Sequence, residues 1–560
     1  MTQQSTKNKR CRVSILYWSI LSVTIAGMLL MAAVPPVSRD ALNHHLLVPK
    51  LYLSAGEIYE IPEIQFSYYP MTLEMLYMGA MWLGCDILPK YIHFAFALLT
   101  AVSIHRYLNR RFDAAWAAVG VCLFLTLPVI MKLSVTAYVD LGLIFFSWMA
   151  LVHFLYWQEK GWRWKEFLIS AVCCGLALGV KYNGMVTLFI LAAFVTMAYA
   201  RNHAGSLRSA VKALGFGALY VAVAAVVFSP WWLRNLHWTG NPVYPLMNSF
   251  FRVLHSTGGP PAAAEVADIF STELGHFAYR AIIYGESGWN IALIPLRIFF
   301  QGADDVPQFF DGVLHPFLLV LPVITLLGIA RTSLPWRRDV GYLTMFAVLT
   351  LLIVFFQTDM RIRYVAPMIP ALVALSVGGL RLLISGLETR RPSPAWRGVI
   401  LPLVIIFFMI PNAIYARNLF ASIDPISFIT GKIDRKSYIT ARRPEFAIFD
   451  YANRHLGHAK LLSLFLIGRH YYCDLPITEA ISYFTRVVRQ GHSGQNIAEV
   501  LRAEGYTNIV FNEPLLNRWL MDNLTDPQKA VAKDFFSHWT SAVYNHQDYR
   551  LLAVCSPPNS

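Results

Sequence analysis

Charge is scarce in this chain. Asp, Glu, Lys and Arg together make up 14% of its 560 residues, and hydrophobic residues fill 56%. A soluble globular protein carries roughly 25% charged residues. A chain this poor in charge, with a mean hydropathy of +0.47, places most of its length in lipid. Cysteine is sparse too, at positions 11, 85, 122, 173, 174, 473 and 555. None of these has metal-ligand spacing, and the adjacent Cys173-Cys174 reads as small packing residues within an apolar run. Cys473 and Cys555 stand in polar sequence, where they could pair if that region is extracytoplasmic. Several motifs are missing: there is no Walker A loop, no GxSxG, no HExxH and no Gly-rich dinucleotide turn. Those absences disfavour an ATP-driven pump and a soluble-cofactor enzyme.

Acidic residues are fewer than basic ones, 33 against 47, for a net charge of +14. That excess is not the footprint of a nucleic-acid binder, because of where it falls. Lys and Arg concentrate in short segments between apolar runs: TKNKRCR, NRR, KGWRWK, RNHAGSLR, RTSLPWRRD and ETRRPSPAWR. Short basic connections are what the positive-inside rule expects of cytoplasmic loops. No nucleic-acid partner is expected.

What is abundant is apolar sequence in bilayer-length runs, each near the ~20 residues a spanning helix needs. They fall at 13–34, 89–108, 114–131, 138–157, 167–181, 184–200, 211–231, 313–330, 340–357, 364–385 and 398–416. The first follows a basic stretch but is longer than a signal h-region and ends in Pro35-Pro36 without a small-residue cleavage site, so it reads as a retained span. With residues 1–12 cytoplasmic, every strong basic loop lands on the cytoplasmic side. Three segments are then outside: 35–88, 232–312 and 417–560. The stretch MTLEMLYMGAMWLG in the first is too short to span and reads as an interfacial helix. The third has ordinary charge density, with strand-like AKLLSLFLIG and TNIVFN around a helical IAEVLRAEG that ends in a Gly cap. The expected fold is a polytopic α-helical membrane protein of about eleven spans over 1–416, followed by a small extracytoplasmic α/β domain over 417–560.

Ionisable residues at a membrane are costly, about 2.5–3.5 kcal/mol at mid-bilayer by insertion scales, and so are the first functional candidates. The stretch PPVSRDALNHHLLVPKLYL carries Asp40, His44, His45 and Lys50. A helix over 38–53 capped by Ser38 would put Asp40, His44 and Leu47 on one face. A carboxylate with an imidazole one turn away can take a proton, share it, or bind a divalent cation. Further on, FSYYPMTLEML gives Tyr69 and Glu74, TAYVD gives Asp140, and GVKYNG gives Lys181 and Tyr182. WWLRNLHWTGNPVYP gives Arg234, Asn235, Asn241 and Tyr244, and TDMRIRYVAP gives Arg361, Arg363 and Tyr364. Singly these read as helix-dipole acids, interfacial anchors or solvated groups. Together they project to one face beside the lipid, which suits a lipid-phosphate substrate: cations hold the phosphate and a carboxylate activates a nucleophile.

These same segments resemble the GT-C glycosyltransferases, in the bacterial branch similar to the protein O-mannosyltransferases and aminoarabinose transferases. RDALNHHLLVPK is similar to the branch's first-loop pattern, and YYPMTLEML, TAYVDLGLIFF, GLALGVKYNG, RNLHWTGNPVYP and RYVAPMIPAL resemble later segments in order. The resemblance implies a polyprenyl-phosphate sugar donor, inversion at the anomeric carbon, and Asp40 as the base that deprotonates the acceptor. It implies Lys181, Arg361 and Arg363 as phosphate holders, and substrate contacts from the other residues named above. Asp40 stands between Arg39 and Ala41 rather than in an acidic pair, and one carboxylate with His44 is a thin ligand set for a divalent metal such as Mg²⁺. Burial would raise the Asp40 pKa, and Lys50 or an Arg would tune it back. The alternatives are a transporter of polyprenyl-linked sugar, which calls for charge along a path through the bilayer, and a scaffold whose C-terminal domain binds glycan. GRHYYCD reads as a packed strand and turn or as an acceptor contact.

Overall fold

The computed structural model describes residues 2–203, 206–248, 250–251, 275–390, 394–466 and 470–555. The membrane part is a helical bundle: α1 (Thr2–Ala32), α2 (Leu47–Ala55), α3 (Thr72–Trp82), α4 (Leu88–Arg111), α5 (Ala114–Leu125), α6 (Pro128–Ser134), α7 (Asp140–Glu159), α8 (Trp164–Val180), α9 (Gly184–Asn202) and α10 (Leu207–Thr239). Short helices between 276 and 297 lead to α11 (Phe317–Leu327), α12 (Leu334–Gln357), α13 (Ile369–Arg390) and α14 (Pro394–Ile423).

A helix lies over each expected apolar run. Among the described residues, five are long and apolar enough to cross a bilayer alone, six if α5 and α6 count as one. The run at 114–131 is not a straight span: α5 and α6 meet at 67°. Asp113 caps α5 by accepting from Ala115 N and Trp116 N. The helix then stops because Pro128 lacks an N–H and pushes Leu127 into extended backbone (ψ 133°).

Helix α7 sets the scale of the bundle. Its twenty residues rise ~30 Å, one bilayer core. At its Glu159 end, Arg111 donates to Glu159 and to the buried Asp339, which also accepts from the Tyr107 hydroxyl. The basic ends of α4 and α12 therefore meet there. Asp140 begins the opposite end. By contrast α10 leaves Leu214, Leu219, Val221, Val226 and Leu233 exposed, an apolar strip fit for lipid.

Beyond α14 the chain forms α15 (Phe446–His455), then a five-stranded sheet with α16 (Ile481–Gln490) and α17 (Gly494–Ala503). Its strands are β1 (Leu461–Leu464), β2 (Ile477–Glu479), β3 (Asn508–Asn512), β4 (Thr540–His546) and β5 (Tyr549–Val554), in order β2-β1-β3-β5-β4. β1 pairs parallel with β2 and β3, with Leu462 opposite Ile509; β5 runs antiparallel to β3 and β4. β1 and β3 are buried along their whole length, as strands covered on both faces must be. Gly505, at φ +83°, turns the chain after α17 as its sequence position predicts. Cys473 and Cys555, whose pairing the sequence leaves open, are free thiols. Residues 468 and 469 of GRHYYCD and much of the 232–312 loop lie outside the described residues.

Candidate active site

The stretch that carries Asp40 is not the plain helix its spacing predicts. Ala41–His45 forms one π-helical turn, closed by Leu46 N donating to Ala41 O at 2.9 Å, and α2 starts afresh at Leu47. Pro49 explains the reset: without an N–H it is tolerated only in a helix's first turn. Helical winding begins just after Ser38, whose carbonyl accepts from Leu42 N at 3.2 Å, and Asp40 directly precedes the π turn. The extra residue sends the two imidazoles to separate partners. The ring of His44 stacks on Phe66 at 4.4 Å, and His45 Nδ1 lies 2.7 Å from Glu74 Oε1.

Asp40 Oδ2 accepts from Arg363 Nη1 at 2.5 Å. Arg363 sits in the short helix Ile362–Val365, anchored by Ile362 N donating to Phe310 O at 2.8 Å. A second pair stands beside the first. Lys181 Nζ donates to Asp140 Oδ1 at 2.8 Å. Asp140 opens α7, where the helix dipole favours a carboxylate. Lys181 occupies the turn between α8 and α9. That turn is tight: a Cβ on Gly184 would lie 2.5 Å from the backbone nitrogen of Leu178, so glycine is required. The two cations share one ring. Lys181 Nζ is 5.2 Å and the Arg363 guanidinium 5.5 Å from the centroid of Tyr364, and Arg363 also lies over Tyr138.

An aromatic wall follows. Arg234 donates to Tyr69 O at 3.0 Å and lies over Trp231 and Trp238. The Tyr69 ring meets Tyr182 at 5.2 Å, and the Tyr182 hydroxyl donates to Tyr244 O at 2.9 Å. Buried Asn235 donates to Tyr68 O and Tyr182 Oη. The buried polar atoms around this cluster that lack a hydrogen-bond partner among the described residues include Asp140 Oδ2, Glu74 Oε2, His44 Nδ1, Arg234 Nη1 and Arg363 Nε. Leaving such atoms unpaired costs about 1–3 kcal/mol each. These atoms are therefore candidates for contact with a polar ligand.

Not every expected residue joins the cluster. Arg361 turns away to Asp311, at 3.4 Å, because its backbone is extended (φ −124°) whereas Arg363 is helical. Asn241 spends its side chain within its own turn, bonding Leu246 O and Val243 N. Among the described residues Lys50 bonds the C-terminal region, not Asp40. Two contributors were not singled out by sequence: Tyr138, two residues before Asp140, and Phe66, just before the Tyr68-Tyr69 pair. A neighbouring polar group, Lys132 with Asp304 and Asp305, was also missed, although the acids of GADDVPQFFD signal it.

The electrostatics decide a balance that the sequence leaves open. Burial is the largest influence on Asp40 and pushes its carboxyl up, but Arg363, His44 and His45 together outweigh it. The carboxyl is held well below the usual range, not raised. Glu74 behaves oppositely: burial pushes it up to about 8 and lowers His45 to about 4. At neutral pH the pair is a protonated acid and a neutral imidazole. The two make opposing contributions to stability. His45, lowered from 6.5, adds stability as pH rises from about 4 to 6.5. Glu74, raised from 4.5, loses it from there to about 8. Net stability from this pair should therefore fall between pH 6.5 and 8. Thermal melts of the detergent-purified protein should show that fall, and Glu74→Gln should flatten it; an equally steep Glu74→Gln profile would refute the assignment.

A divalent cation does not fit these side chains. Among the described residues no three His, Cys, Asp or Glu come together as a metal set. Asp40 is held by Arg363 and His45 by Glu74, leaving His44 without a second oxygen donor. Positive charge at the site comes from Arg363 and Lys181, each paired with a carboxylate.

Comparison with known proteins bears on the fold that carries these residues. Residues 89–233, which hold Asp140, Lys181 and Tyr182, match the family described as dolichyl-phosphate-mannose-protein mannosyltransferase. No curated protein matches the chain in sequence. In structure it is similar to apo ArnT from Cupriavidus metallidurans, with TM-score 0.54 and 14% identity over 97% of this chain and 99% of that one. The same ArnT bound to undecaprenyl phosphate superposes with TM-score 0.51 and 13% identity, over 96% and 98%. The apo oligosaccharyltransferase of Archaeoglobus fulgidus gives TM-score 0.52 and 14% identity, over 95% of this chain and 74% of that one. Residues 89–233 thus match this one family's description, and nearly the whole chain shares the polytopic helical fold of ArnT and of the oligosaccharyltransferase.

Proposed function

We propose that the chain transfers a sugar from a polyprenyl-phosphate donor to an acceptor on the extracytoplasmic face of a bacterial plasma membrane, inverting the anomeric centre. One observation carries this reading: a lone carboxylate, Asp40, sits against Arg363 with the Asp140–Lys181 pair beside it, at the end of the bundle opposite the basic loops. Under the positive-inside rule those loops are cytoplasmic, so the site faces out. That a relative of the same fold was crystallised with undecaprenyl phosphate supports a lipid-phosphate leaving group here.

In the reaction the acceptor hydroxyl or amine gives its proton to an Asp40 oxygen and attacks the anomeric carbon. The bond from that carbon to the phosphate oxygen breaks, and polyprenyl phosphate departs with the electron pair. Lys181 and Arg363 hold the added negative charge, the cations acting where charge develops. A carboxylate bound to Arg363 is a weak base. When donor phosphate draws Arg363 toward itself, Asp40 loses its strongest counter-charge and its proton affinity rises. The base is thereby strengthened once the donor is bound. Tyr69, Tyr182 and Arg234 form a wall suited to the sugar ring or the first isoprene units. The test is mass spectrometry of extracytoplasmic glycans, lipids and proteins from cells with and without the protein. A sugar present only with it identifies donor and acceptor together, and the product's anomeric configuration reads the inversion. No mass difference in any fraction would sink the proposal.

A further inference from the structure

The Asp40 segment is gripped from outside the membrane bundle. The Tyr472 hydroxyl donates to Pro36 O at 2.7 Å, and Arg443 Nε donates to Val37 O. At the other end Lys50 Nζ donates to Tyr471 O at 2.8 Å, Cys473 O at 3.0 Å and Asp474 Oδ1 at 2.7 Å. The turn 471–474 is itself fixed from α15: Asn453 Nδ2 donates to Tyr472 O and Asp474 Oδ2, and Asn453 Oδ1 accepts from Asp474 N. Between these anchors Tyr471 is buried in one apolar cluster with Ala41, Leu42, Leu46 and Leu73. A turn of the C-terminal region thus holds both ends of 36–50 and packs against its middle.

We propose that this turn is a positioning device for Asp40, with Lys50 and Tyr472 as positioning residues that act through the 36–50 backbone; the inference rests on Asp40 being the base. The physical case is economy of contacts. The π-helical turn is a rarely adopted backbone, Asp40 makes one side-chain bond among the described residues, to Arg363, and a base must be held to a fraction of an ångström. A misplacement of ~1 Å can cost about a hundredfold in rate. Three hydrogen bonds from one ammonium, two of them to backbone carbonyls, fix the far end of this segment without touching the reacting atoms. The C-terminal domain is then part of the catalytic assembly, not a detachable acceptor module.

The test uses the full-length protein in lipid nanodiscs. Amide hydrogen exchange over 36–50 and the kcat and KM for the labelled polyprenyl-phosphate sugar are measured for wild type, Lys50→Met, Lys50→Arg and Tyr472→Phe. Lys50→Met is expected to speed exchange in 36–50 but not in α4, and to lower kcat about tenfold or more at little-changed KM. Tyr472→Phe should do the same more weakly, and Lys50→Arg should recover most of the rate. Unchanged exchange in Lys50→Met overturns the clasp. Faster exchange with unchanged kcat overturns the positioning role, and a raised KM at constant kcat makes Lys50 a donor contact instead. Wild-type protein that consumes no polyprenyl-phosphate sugar overturns the transferase reading, and the exchange data then still decide the clasp by themselves.

Discussion

Asp40→Asn should reduce sugar transfer about a thousandfold or more while the protein stays folded in the membrane. An amide has the shape of the carboxylate but takes no proton at working pH, and positioned proton transfer typically contributes ~10²–10⁴ in rate. The variant retains an oxygen that can accept from Arg363, so donor binding should survive. The pH profile adds a second constraint. Because Arg363 and the imidazoles hold the free-enzyme carboxyl well below its ordinary range, kcat/KM should show no acid limb in the pH range where an ordinary Asp titrates. Replacing Arg363 with Met removes that counter-charge. Burial then dominates, the Asp40 pKa rises, and an acid limb should appear, with transfer lost as pH falls through it. Turnover by Asp40→Asn equal to wild type would remove residue 40 from the chemistry.

How much of this was legible in the chain depends on the kind of interaction. Asp40, Asp140, Lys181, Arg234 and Arg363 could be found because charge beside apolar runs is conspicuous when only 14% of residues carry it. Their partners could not, since the Asp40–Arg363 contact joins positions 323 apart and spacing rules reach only one or two helical turns. Arg361 and Arg363 look equivalent in TDMRIRYVAP. The change from extended to helical backbone between them decides which one faces Asp40, and no side-chain pattern encodes it. Likewise Lys50 looked like a candidate for tuning Asp40, being ten residues away. The π-helical turn and the docked C-terminal region together direct it elsewhere. The bend at Pro128 was readable, as the proline stands within a run called a single span. The direction of the Asp40 pKa was not, because burial and a distant guanidinium oppose each other and only the structure supplies their balance.

The second large effect concerns the Asp140–Lys181 pair. Lys181→Met should both abolish donor binding and destabilise the protein by about 3–5 kcal/mol, the usual result of stranding one buried charge. Asp140 is 1% exposed at its side chain and Lys181 17%, so the stranded carboxylate has little water to turn to. Its second oxygen already lacks a partner among the described residues, which leaves Lys181 as its main compensation. Replacing Asp140 with Asn in the same chain removes the stranded charge. The double variant should therefore regain most of the stability lost by Lys181→Met, measurable by thermal unfolding in nanodiscs. It should not regain activity, since the phosphate would still meet one cation in place of two. This split separates the two roles of Lys181. If the double variant recovers stability and transfer together, Lys181 serves only to neutralise Asp140, and Arg363 alone holds the departing phosphate. If neither returns, the turn at Gly184 has lost its shape with the lysine, and its packing rather than its charge carries the effect.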